Sequence, residues 1–182
     1  MVAFQIVQTL YWLALSTWFG GVLFIAIAAP IIFRVVREAN PILPHVLAAN
    51  LEGAHGSLLA GSIVGELLRT LSNIQFACAA VLMLMLVGQW LVMGPGDLNR
   101  WQAVIRSCLF VAAVVLNVYD RRFVAPKAFR FRQEYIDHAD EPEVANAAKE
   151  QFDHYHRESV RVLFIIVVVL SLMVVFSTYV MP

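Results

Sequence analysis

Two short spacings carry the residue types that hold metal ions. Glu52-Gly53-Ala54-His55 sets a carboxylate and an imidazole three positions apart, and Asp153-His154-Tyr155-His156 repeats this with Asp153 and His156. On a helix, positions i and i+3 share a face. Helical bundles that bind two metal ions use two Glu-x-x-His pairs plus a carboxylate from each of two further helices. Glu66 and Asp120 are available for that role. The candidate metal ligands are therefore Glu52, His55, Glu66, Asp153 and His156, and a divalent metal is the cofactor they would take. The pattern falls short of the full motif. One pair begins with Asp, and Gly53 and Gly56 weaken a helix around His55. As solvated or salt-bridged groups, the same residues would cap and join helices with no cofactor at all.

Other chemistry finds little support. The chain has no GxSxG, no HExxH and no Walker A sequence. Its histidines and lysines all lie outside the long apolar runs, which disfavours an intramembrane bis-histidine haem and a retinal-type Schiff base. Cys78 and Cys108 sit inside apolar runs without a CxxC partner and read as apolar filler. Arg34, Asn117 and Asp120 stand at the ends of those runs. Arg106 lies about a turn inside one of them, where its long stem can snorkel outward.

The elements that must position these groups are the runs themselves. Residues 4–33, 74–93, 103–119 and 160–181 are predominantly apolar, and about 20 such residues cross a hydrocarbon core as a helix. Backbone in lipid must satisfy its own hydrogen bonds, so the fold class is all-α and the protein is integral to a membrane. Of 182 residues, 60% are hydrophobic and 14% charged, which leaves a single membrane domain over 1–182 and no separate soluble one. Net charge is zero, so no basic field suggests nucleic acid.

Basic residues set the orientation. Arg34, Arg37 and Arg69 lie between the first two runs. Arg121, Arg122, Lys127, Arg130, Arg132, Lys149 and Arg157 lie between the last two. The turn Gly94–Arg100 holds a single Arg. The positive-inside rule then places segments 34–73 and 120–159 in the cytoplasm and both termini outside. Trp90 and Trp101 bracket the opposite hairpin as interfacial anchors.

Within the runs, Ser16/Gly20 and Thr17/Gly21 are small residues four apart, which lets helices approach closely. Gly61 and Gly65 repeat the spacing. Ser16, Gly20, Gly21, Gly61 and Gly65 are thus the expected packing positions. Pro30 can kink or end the first span, and the next segment breaks at Pro41 and Pro44. Leu58–Asn73 is amphipathic, with Ile63, Val64, Leu67, Leu68 and Leu71 on one face, and it runs without a breaker into the second span. Asp120–His138 mixes aromatic and basic residues, and residues 121–132 suit anionic headgroups. Asp140-Glu141-Pro142-Glu143 starts a helix. That helix carries the stripe Val144, Ala148, Phe152, Tyr155, Ser159 and Val162 into the fourth span.

The ordered motifs resemble those of the transmembrane protein 205-like family. They are Trp18-Phe19-Gly20-Gly21 with Ala29-Pro30 and Phe33-Arg34, then Ala60-Gly61 through Leu67-Leu68. Next come Asn117 with Pro126, and Phe152-Asp153-His154-Tyr155-His156-Arg157-Glu158-Ser159. The resemblance implies a four-span membrane protein and supplies no catalytic site.

The expected architecture is an integral membrane four-helix bundle with cytoplasmic helical extensions. The expected role is a non-catalytic interaction or accessory subunit that packs with other membrane subunits or itself, with no resident cofactor. The compact chain points to a bacterial inner membrane. A small-solute or metal transport component, or a metal-binding redox protein, is the alternative.

Overall fold

A computed structural model describes residues 2–42, 55–93 and 100–178. Among them the chain is all helical, with no strand. The helices are α1 (Val2–Glu38), α2 (His55–Met93), α3 (Arg100–Tyr119), α4 (Ala125–Asp137) and α5 (Pro142–Thr178). A π-helical turn, Asp120–Val124, joins α3 directly to α4. Four helical stretches are long and apolar enough to cross a membrane: Phe4–Glu38, His55–Gln89, Trp101–Asp137 and Pro142–Ser177.

The helix ends have local causes. Helix α1 runs through Pro30, so that proline does not end it. It stops where Asn40 takes a left-handed conformation (φ 43°) ahead of Pro41. Asn is the residue that most readily replaces glycine at such a cap. Asn40 N–H bonds the Arg37 carbonyl at 3.1 Å and closes the end. Pro44 lies outside the described residues. The π turn precedes Pro126, which has no N–H and would crowd the carbonyl four residues back. Widening the turn relieves this, and Ala125 N–H reaches back five residues to the Asp120 carbonyl. Helix α5 opens on Pro142, with Glu143 in its first turn, as the Asp-Glu-Pro-Glu sequence predicts.

The sequence places α2 and α5 as single long helices, and they are. Helices α1, α2 and α5 run past the apolar segments 4–33, 74–93 and 160–181, α1 to Glu38, α2 from His55 and α5 from Pro142, because the amphipathic flanks share their helical register. The flanks are less regular than their spacing predicts. Leu71 and Val64 are buried on α2, whereas Ile63 and Leu67 are exposed. On α5, Ala145 is buried in place of Val144, and Ala148 and Val162 are buried as expected.

Contacts divide the chain into two compact units. The first comprises residues 1–23, 71–118 and 163–182, and the second comprises residues 24–70 and 119–162. Buried stripes define the first unit. They are Tyr11, Leu15, Trp18 and Val22 on α1, Cys78, Leu82 and Leu86 on α2, Ala103, Phe110 and Ala113 on α3, and Ile166, Leu170 and Met173 on α5. Each repeats every three or four residues, the period of one helix face.

Candidate functional site

Polar groups lie on those same stripes inside the first unit. Arg106 falls in register with Ala103, Phe110, Ala113 and Asn117, and it is only 1% exposed. Its Nη2 donates to Gln89 Oε1 on α2 at 3.2 Å, and its guanidinium carbon lies 5.7 Å from the centre of the Tyr11 ring on α1. Gln89 donates from Nε2 to Gln8 Oε1 at 3.0 Å. Ser177 on α5 gives its hydroxyl proton to the Met173 carbonyl at 2.6 Å. A hydroxyl has one proton, so Tyr11 is the donor in its 2.7 Å bond to Ser177. Helices α1, α2, α3 and α5 each place a polar side chain in this cluster.

Arg106 therefore does not snorkel. A helix face has a fixed register, and the apolar residues three and four positions either side of Arg106 turn inward and carry it with them. Guanidinium has five N–H donors, and Nε and Nη1 have no hydrogen-bond partner among the described residues.

The second unit holds a basic and aromatic surface built on α4. Arg132 Nη2 donates to the Leu58 carbonyl at 2.7 Å and to Ser62 Oγ at 2.8 Å. Phe131 stacks on Tyr155 at 5.7 Å between centroids, and Lys127 Nζ lies 5.0 Å from the Tyr155 ring centre. Tyr119 donates to Glu158 at 3.1 Å. Asp120, in the π turn, meets the Ser159 hydroxyl.

Residues 13–136 match the sequence profile of a family described as a domain of unknown function, DUF4149. The chain belongs to the DUF4149 family. No comparison names the transmembrane protein 205-like family that the motifs resemble. No curated protein and no solved structure matches the chain. The DUF4149 segment carries Gln89, Arg106 and Arg132. Gln8, Tyr11 and Ser177 flank it.

In this DUF4149 chain the described residues expected as metal ligands lie on α2 and α5. Glu52 lies outside the described residues. His55 is the first residue of α2, Glu66 is exposed and paired with Arg69, and Asp153 and His156 lie on α5. The His156 ring stacks on Phe152 at 5.6 Å. Among the described residues no three His, Cys, Asp or Glu side chains gather to hold a metal. Arg34 is exposed on α1. Asn117 is buried in the first unit, and its Nδ2 has no hydrogen-bond partner among the described residues.

The small residues sort by what a side chain would meet. Ser16 and Gly20 face outward, and a Cβ at Gly20 would touch nothing within 4 Å. A Cβ at Gly21 would come 2.7 Å from Leu71 Cδ1. Gly61 receives the Arg132 guanidinium, and Gly65 receives the Phe129 ring, so both face α4. Gly56, expected only to weaken its helix, lies tight against the α1 backbone, with Arg37 Cα 3.2 Å from its Cβ position. Gln8, Tyr11, Gln89 and Ser177 belong to no spacing motif. Their one sequence signal is that each interrupts an apolar run on its inward stripe.

Proposed function

We propose that this DUF4149 protein is a multi-pass membrane protein acting as a non-catalytic interaction or accessory subunit. One observation carries the reading: the outward face of α1. Gln5, Thr9, Ser16, Thr17 and Gly20 are exposed there in an otherwise apolar span. Hydrocarbon gives polar and small side chains nothing in return, whereas a second helix packs closely on small residues and bonds to polar ones. The occupant we assign is a membrane helix of another subunit. The basic residues of 121–132 then lie at the cytoplasmic headgroups of a bacterial inner membrane, with both termini on the far side.

The test is native mass of the complex extracted in mild detergent and in native lipid discs. Wild type is expected in an assembly heavier than one chain. The double variant Ser16→Leu, Gly20→Leu is expected to lose that assembly while remaining folded, because a Cβ at Gly20 opens onto free space and Ser16 is exposed on the same face. A wild-type monomer in native lipid overturns the proposal.

A further inference from the structure

The buried polar atoms of the first unit without a described partner are nearly all donors. They are Gln8 Nε2, Trp12 Nε1, Trp18 Nε1, Gln75 Nε2, Asn117 Nδ2, and Nε and Nη1 of Arg106; Gln102 Oε1 is the acceptor among them. The amides of Gln75 and Asn117 can be turned so that oxygen replaces nitrogen, whereas Gln8 is fixed by the bond its oxygen accepts from Gln89. The indoles and the guanidinium have no such freedom, since Trp and Arg carry no acceptor. The one full charge in this cluster is positive. Its described partners are the neutral Gln89 amide and the neutral Tyr11 phenol, whose hydroxyl and ring both face the guanidinium.

From this sequestered cation, whose Nε and Nη1 have no acceptor among the described residues, we propose that the first unit binds an anion at Arg106, a halide or an anionic oxygen, through those two nitrogens. A water molecule can accept a hydrogen bond from these groups, but it leaves the charge uncompensated in a low-dielectric interior, where pairing decides whether burial is tolerated. Ionisable residues inside membrane spans mark binding sites and ion paths for the same reason. A free anion and a lipid phosphate share the required chemistry. Asp97, nine residues before Arg106 in sequence, is the nearest carboxylate along the chain and the internal competitor to be tested.

Detergent-purified, lipid-stripped protein is melted in four conditions of equal ionic strength: potassium gluconate, potassium chloride, gluconate with phosphatidylglycerol, and gluconate with diacylglycerol. Wild type is expected to melt several degrees higher in chloride or with phosphatidylglycerol than in gluconate or with diacylglycerol. Arg106→Gln is expected to lose that difference. A response to chloride assigns a free anion, and a response confined to phosphatidylglycerol assigns a lipid phosphate. Equal melting of wild type in all four conditions overturns the proposal, and so does an equal response in Arg106→Gln. If Asp97→Asn also lowers the melting temperature of an anion-insensitive protein, the ion pair with Asp97 replaces the proposed site. Should Arg106→Gln fail to fold, the wild-type comparison alone still decides.

Discussion

Gln89 is placed where an amide is hard to replace. Its oxygen accepts from Arg106 and its nitrogen donates to Gln8, so one side chain links three helices. Gln89→Leu keeps the volume, removes both bonds and leaves Arg106 with the Tyr11 phenol as its remaining described partner. Polar contacts inside membrane proteins contribute about 0.6–2 kcal/mol each, and an unpaired buried charge adds to the loss. The expected destabilisation is about 2–4 kcal/mol. Tyr11→Phe keeps the ring beside Arg106 but removes the hydroxyl that bonds Ser177 and faces the guanidinium, and is expected to cost about 1–2 kcal/mol. Unfolding of the three proteins in detergent compares them. Equal costs would show that Gln89 does nothing special for the arginine. Arg106 itself was legible in type and illegible in place. A lone basic residue a turn inside an apolar run fits a snorkelling side chain, and only the register of Ala103, Phe110 and Ala113 turns it inward. The paired glycines show the same limit. Spacing identifies Gly20 and Gly21 as small positions, but only three-dimensional neighbours show that Gly21 meets Leu71 while Gly20 faces outward.

Helix α4 is held by contacts its own sequence does not advertise. It is amphipathic and basic, and none of its residues is fully buried. Its tie to α2 is instead Arg132, whose Nη2 bonds the Leu58 carbonyl and the Ser62 hydroxyl beside Gly61. Gly61 leaves space for the guanidinium, and Gly65 does the same for the Phe129 ring. Arg132→Ala is expected to leave the spans folded and to speed amide hydrogen exchange across 125–137 by at least tenfold, about 1.4 kcal/mol of lost local stability. Unchanged exchange there would mean that the aromatic contacts of Phe131 with Tyr155 and of Arg69 with Phe129 hold α4 on their own. The continuity of α2 and α5 was readable because neither junction holds a breaker. The π turn was not, since Pro126 announces a disturbance without saying whether the helix stops or widens.

For the whole molecule, the four spanning stretches fix one relation and leave another to charge. Four crossings, being even in number, would return the chain to the side on which it began, whatever the orientation. The choice of side depends on Lys and Arg in short flanks. Those residues concentrate in 34–73 and 120–159, against a single Arg in the turn near residue 97. A phosphatase reporter, active only outside the cytoplasm, is therefore expected to work when fused at residue 97 and to be silent at residue 139. A fluorescent reporter that folds only in the cytoplasm should give the reverse pattern. Neutralising Arg121, Arg122, Lys127 and Arg130 together removes much of the bias and should yield a mixed population. Arg132 is kept in that variant because it holds α4, which separates a change of topology from a loss of structure. If the reporter at 97 is silent and the one at 139 active, the orientation inverts. The basic face of α4 then meets the outer leaflet, and Arg106, close to the turn at residue 97 in sequence, lies nearer the cytoplasmic side, where a different pool of anions would reach it.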